Sequence, residues 1–131
     1  MRGIRKVLML TLAALLLSAC GAIGTGGGLF QASPAEQKLS GGVKSYEDGD
    51  YKASMEELQK ALEMGLSNKN DQVRAHKYSA FIHCISAREK QCRDEFKKAL
   101  EIDPAFDLKP AEAGHPVWGP VFRSVKAKPA K

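Results

Sequence analysis

Three cysteines, Cys20, Cys84 and Cys92, and three histidines, His76, His83 and His115, are the side chains of this sequence best suited to chemistry. A thiol can be acylated, paired in a disulfide or deprotonated to hold a metal, and imidazole is a common metal ligand. Structural zinc motifs place two cysteines only about two to four residues apart within a half-site. Cys84 and Cys92 are set wider than that. A zinc site built from Cys84, Cys92 and one or two of His76, His83 and His115 is therefore the weaker reading. His83 adjoins Cys84 in sequence but points to another side of a helix, and His115, before Pro116, reads as a turn or cap residue.

Catalytic patterns are missing as well. The sequence holds no nucleophile elbow, phosphate loop or zinc-protease motif, and the glycines from Gly24 to Gly28 follow no strand that would make them a nucleotide loop. Pairs such as Glu56 and Glu57, or Asp94 and Glu95, are ordinary content of solvated helix faces. The expectation is a protein that is no enzyme, with no cofactor, no metal and no small-molecule substrate.

Charge narrows the partners. The chain has 131 residues and a formal charge of +5. Arg2, Arg5 and Lys6 belong to a basic start, followed by an apolar run from Val7 to Leu17 and by Leu17-Ser18-Ala19-Cys20. These are the parts of a secretory signal peptide. The apolar run is about half of the ~20 residues that a bilayer span needs, so a cleaved signal is favoured over a permanent helix. Without the three basic residues, 17 Lys and Arg face 15 Asp and Glu, a balance of +2. That is too little to argue for nucleic acid, which requires basic groups gathered on one face.

The segment Leu17-Ser18-Ala19-Cys20 resembles the lipobox of bacterial lipoproteins. The resemblance implies cleavage before Cys20, a diacylglyceryl thioether on its sulfur and acylation of the new amino group. Each buried methylene contributes about 0.8 kcal/mol, so two or more chains give a stable anchor. Gly21 and Ala22 follow the cysteine where an Asp would imply inner-membrane retention, so the resemblance points to the outer membrane, facing the periplasm. Residues 1–19 are then the signal peptide and 20–33 a flexible Gly-rich linker with a reach of about 20 Å.

The rest reads as all-α. Ser33-Pro34-Ala35-Glu36 has the form of a capping box that starts a helix at Pro34. Leu39, Val43 and Tyr46 recur at helical spacing, Gly49-Asp50 separates a second helix bearing Tyr51, Met55, Leu58 and Leu62, and Gly65 closes it. A polar loop from Ser67 to Asp71 precedes a third helix with Val73, Ala80, Phe81, Cys84 and Ile85. Ser86-Ala87-Arg88-Glu89 reads as the capping box of a fourth, which stops near Asp103 because Pro104 follows.

The two helix pairs are self-similar at an offset of 38: Glu57-Leu58-Gln59-Lys60-Ala61-Leu62-Glu63-Met64 matches Glu95-Phe96-Lys97-Lys98-Ala99-Leu100-Glu101-Ile102. They resemble two tetratricopeptide repeats over 34–104, with four residues added around Ser67 to Asp71. In such repeats the places of Cys84 and Cys92 face each other across the hairpin, so an exported chain is expected to pair them in a disulfide. Two buried free thiols are the alternative. The resemblance also implies a concave face around Leu39, Val43, Tyr46 and Tyr78 on which a protein partner docks.

Two repeats rarely bury a continuous core unaided. Residues 105–131 carry Phe106, Leu108, Val117, Trp118, Val121, Phe122 and Val125 among Pro110, Gly114, Pro116, Gly119 and Pro120. The expectation there is an extended, turn-rich capping strap with a short helix from Pro120 and a frayed basic tail. Trp118 is expected in the core, with an exposed anchor for a partner as the competing role.

Lys77-Tyr78-Ser79-Ala80-Phe81-Ile82-His83-Cys84, Asp103-Pro104-Ala105-Phe106 and above all Gly114-His115-Pro116-Val117-Trp118-Gly119-Pro120-Val121-Phe122 resemble the TssQ family of lipoproteins associated with type VI secretion. The resemblance implies an accessory factor of the secretion apparatus that binds a protein component of it. A pilotin-like lipoprotein of another envelope machine is the alternative. A periplasmic metal carrier or enzyme is the alternative of a different class.

Overall fold

Ser33 accepts the Glu36 amide at 3.2 Å while the Glu36 carboxylate accepts the Ser33 amide at 2.6 Å, so the expected capping box forms and α1 spans Pro34–Glu47. The structure is a computed structural model that describes residues 31–128. The expected signal peptide, Cys20, residues 21–30 of the linker and residues 129–131 lie outside the described residues. Gly49, at φ +80°, takes the left-handed turn that an L side chain resists. The Asp50 carboxylate then accepts the Ala53 amide at 3.0 Å and starts α2, Tyr51–Met64, which Gly65 ends at φ +87°.

Only the first part of the expected polar loop, Ser67 and Asn68, is non-helical; Lys69 to Asp71 already belong to the next helix. Asn68 caps the Asn70 amide at 2.8 Å, and α3 runs from Lys69–Ile85, 17 residues against 14 in α1 and α2. α3 is thus longer than α1 and α2 by most of a turn, and its extra length lies in the polar stretch. A side-chain cap can start a helix in wholly polar sequence, where apolar periodicity gives no signal.

The capping box expected at Ser86 does not form. Ser86 instead closes α3, its amide directed at the Ile82, His83 and Cys84 carbonyls, and Arg88 is the N-cap of α4, Glu89–Ile102. The reversal between them is only three residues long, so Ala87 adopts φ +57°. That conformation costs a non-glycine residue about 1 kcal/mol. The Arg88 amide to the His83 carbonyl at 2.9 Å and the Arg88 Nε to His83 Nδ1 at 3.0 Å hold the turn.

Two further helices replace the expected extended strap: α5, Pro110–Ala113, and α6, Trp118–Lys126. Trp118, rather than Pro120, begins α6. Pro120 falls in its first turn, where a missing amide breaks no helical hydrogen bond. Gly119 permits the close approach to α5, since a Cβ there would collide with the Ala113 carbonyl oxygen.

The described residues are all-helical, with no strand among them. α1 packs on α2 and α3 on α4 as two helical hairpins joined through α2 and α3, while α6 lies on α4 and α3. Gly42 brings α1 close to α2: its added Cβ would stand 2.9 Å from Leu58 Cγ, and Ser54 Oγ donates to its carbonyl at 2.7 Å. Leu39, Val43, Leu58, Ala61, Leu66, Ala75 and Ile82 fill one core, and Phe81, Phe96, Trp118 and Phe122 dominate the other. Each such large side chain fully withdrawn from water stabilises the fold by roughly 1.5–3 kcal/mol. Tyr46 and Tyr78 pack against both cores.

Candidate interaction face

The apolar stripe of α3 contains one residue that does not belong to it by type. Lys77 is 8% exposed, buried like Val73, Ala80, Phe81 and Cys84 of the same helix. Its ammonium donates to Glu112 Oε1 of α5 at 2.6 Å and sits 4.8 Å from the Tyr78 ring centroid and 5.6 Å from that of Phe81. Glu112 has a second role, its other oxygen accepting the Lys109 amide at 3.0 Å. A buried charge is tolerable only when paired and hydrogen-bonded, and the aromatic faces add cation–π attraction. In the sequence, a lysine at helical spacing between Val73 and Phe81 marks the position, but nothing local to it identifies the partner.

Around this pair run the aromatic rings. Tyr46 on α1 lies edge-on to Tyr78 at 5.0 Å, and Tyr51 approaches Tyr46 at 5.6 Å. Tyr78 leads to Phe81 at 5.9 Å, and Phe81 stacks on Trp118 at 4.2 Å. The Trp118 indole is sealed on its other face by His115 at 3.3 Å, and its Nε1 donates to the Glu112 carbonyl at 2.8 Å. At 7% exposure Trp118 is a core residue. The role of exposed anchor is thereby excluded.

The remaining site expectations divide. Leu39 and Val43 are 2% and 4% exposed, enclosed by α2 and α3, and offer nothing to a partner. Their helical spacing marked them as apolar, and the face they form is turned into the hairpin. Tyr46 and Tyr78 stay half-buried, with Arg74 and Tyr51 exposed beside them. Burial first, then Tyr51, Tyr78 and Glu112, push the Tyr46 hydroxyl up to about 12. Burial likewise raises Tyr78, against the opposing effect of Arg74. Both tyrosines are neutral hydrogen-bonding groups at physiological pH, on rings held in place by their neighbours.

Cys84 and Cys92 are brought to disulfide distance, with Cα atoms 5.1 Å apart and the residues 6% and 0% exposed. The histidines take separate partners. His76 Nδ1 meets Glu95 Oε2 at 2.6 Å across α3 and α4, His83 accepts from Arg88, and His115 Nδ1 accepts the Val117 amide at 3.2 Å. Burial acts to raise Glu95, but hydrogen bonds from His76 and Lys98 outweigh it and hold the carboxyl below its usual range. Among the described residues no group of three His, Cys, Asp or Glu side chains is placed to hold a metal.

No family model, curated protein or solved structure matches this chain. Its own geometry is what bears on function. The face formed by α1, α3 and α5 presents two half-buried tyrosines packed against their neighbours, an exposed arginine and a satisfied ion pair in its floor. Tyrosines held in this way supply contact area at low entropic cost, a composition suited to binding polypeptide.

Proposed function

We propose that this chain is a lipid-anchored interaction module of the bacterial envelope, a TssQ-family accessory of a type VI secretion system, with Cys20 as its lipid site. On this reading the two hairpins are tetratricopeptide-like repeats, α5 and α6 cap the second of them, and the protein binds a component of the apparatus without catalysing a reaction. The lipobox-like segment before Cys20 supports the anchor, and the Gly114 to Phe122 segment supports the family.

The observation that carries the binding role is the placement of Tyr46 and Tyr78, half-buried and edge-on, where the first helices of the two hairpins meet. The partner face is accordingly Tyr46, Tyr78 and Arg74, in place of Leu39 and Val43. Crosslinked pull-down of the full-length protein from membranes tests it. The wild type should recover a secretion-apparatus protein, and Arg74→Glu or Arg74→Ala, each with an unchanged melting curve, should reduce that recovery by about tenfold or more. Equal recovery by both variants would refute the assigned face.

A further inference from the structure

A second surface is marked by charge. From Ala113 to Lys131 the sequence carries Arg123, Lys126, Lys128 and Lys131 with no acidic residue, a balance of +4, whereas Cys20 to Glu112 has 13 basic against 15 acidic groups. The positive charge of the exported chain is therefore concentrated at its end, on and after α6. Such asymmetry points to an acidic partner or an anionic surface.

The fold sets this charge beside a groove. Leu100 and Pro104 at the end of α4 and Val125 of α6 line an opening of about 490 Å³, with Lys97, Lys126 and Lys128 at its edge and Glu101 its acidic member. Lys126 is committed, donating to the Phe106 carbonyl at 3.0 Å and pairing with Asp107 at 2.7 Å. Lys97 and Lys128 are exposed and enter no ion pair among the described residues.

Shape decides between the two classes of occupant. Membrane association of a helix needs large apolar side chains protruding from it. The exposed large hydrophobics among the described residues are Tyr51, Met64 and Val117, none of them at this groove. A concave apolar floor between cations instead suits one inserted side chain flanked by carboxylates. We infer that the groove between α4 and α6 is a docking site for an acidic, amphipathic polypeptide segment, whose apolar residue enters over Leu100 and Val125 while its carboxylates meet Lys97 and Lys128. The inference stands on the charge and shape of this end and does not depend on the Tyr46 and Tyr78 face.

Detergent-solubilised full-length protein tests it against three fluorescent probes: a synthetic helix with one Leu face and Glu elsewhere, the same helix with Lys for Glu, and phosphatidylglycerol vesicles. The Glu probe should bind and the Lys probe should not. The double substitution Lys97→Glu and Lys128→Glu should weaken the Glu probe by about tenfold or more, as should raising sodium chloride from about 50 to about 500 mM. Both substitutions are at exposed positions, and an unchanged melting curve verifies the fold. Hydrogen exchange of the complex should protect the ends of α4 and α6. Failure of the Glu probe to bind, binding that survives the double substitution, or retention by vesicles alone would each overturn the proposal.

Discussion

Removing the carboxylate of Glu112 should loosen α5 and α6 from α3. Lys77 and Glu112 have side chains 10% and 19% exposed, and their 2.6 Å contact is the ion pair that joins α3 to α5. Glu112→Ala leaves the Lys77 ammonium beside Tyr78 and Phe81 with no counter-charge, and it frees the Lys109 amide. Truncating one partner of a fully buried pair costs about 3–5 kcal/mol. Residual access to water and the retained cation–π contacts reduce this to about 2–4 kcal/mol, a large part of the ~5–15 kcal/mol that holds a small domain together. Lys77→Met, which keeps the apolar stem and removes the charge, should cost less than about 2 kcal/mol. The double variant Lys77→Met with Glu112→Gln should then be more stable than the sum of its single changes predicts. Trp118, the sole tryptophan, stacks on Phe81 and His115 and bonds the Glu112 carbonyl, so its fluorescence reports this region during urea unfolding. A loss below about 0.5 kcal/mol for Glu112→Ala, or strict additivity, would show that the pair is effectively solvated.

Three further outcomes concern the cysteines and His83. Cys20→Ala should release the protein from the membrane fraction or block its processing; fractionation identical to the parent would refute lipid anchoring. Unreduced protein from the periplasm should weigh two hydrogens less than the reduced form, and Cys84→Ser should destabilise by about 2 kcal/mol in the chain-entropy account of so short a loop. Two freely alkylated thiols would contradict this. Burial, and next Arg88, hold His83 below its ordinary 6.5, so the unfolded chain takes up its proton first. Its contribution to stability is complete above pH 6.5 and is lost as the pH falls. The stability advantage of the wild type over His83→Gln should therefore shrink on acidification, and parallel profiles would count against the burial of the His83 ring beside Arg88.

Much of the helical frame is legible in the residues themselves, because caps and breakers are local. Ser33 to Glu36, Gly49-Asp50, Gly65 and Pro104 each end or begin a helix where short-range chemistry requires it. The facing positions of Cys84 and Cys92 could also be placed, since the hairpin similarity supplied the register. Legibility failed where tertiary contacts decide. The polar start of α3 carries no periodic signal, and Ser86 could not be recognised as the end of one helix instead of the cap of the next. Pro and Gly between Pro110 and Pro120 suggested extended chain, but they fall at helix starts and at the close contact of Gly119 with α5. The repeat resemblance implies a docking face that includes Leu39 and Val43, but it does not say what covers that face, and here both residues are buried in the core. The burial of Lys77 is not legible locally, because its partner Glu112 lies 35 residues away.

The central claim is that the face between α1 and α3 receives a component of the secretion apparatus. Site-specific photocrosslinking in cells tests this most directly, with a benzophenone side chain placed at Tyr51, exposed beside Tyr46 at the edge of that face, and, as control, at Lys60, which is exposed on α2. The account predicts a crosslink from position 51 to a protein of the type VI apparatus, lost when Arg74→Glu is added, and none from position 60. Equal adducts from both positions, or crosslinks from position 51 only to proteins unrelated to secretion, would contradict it.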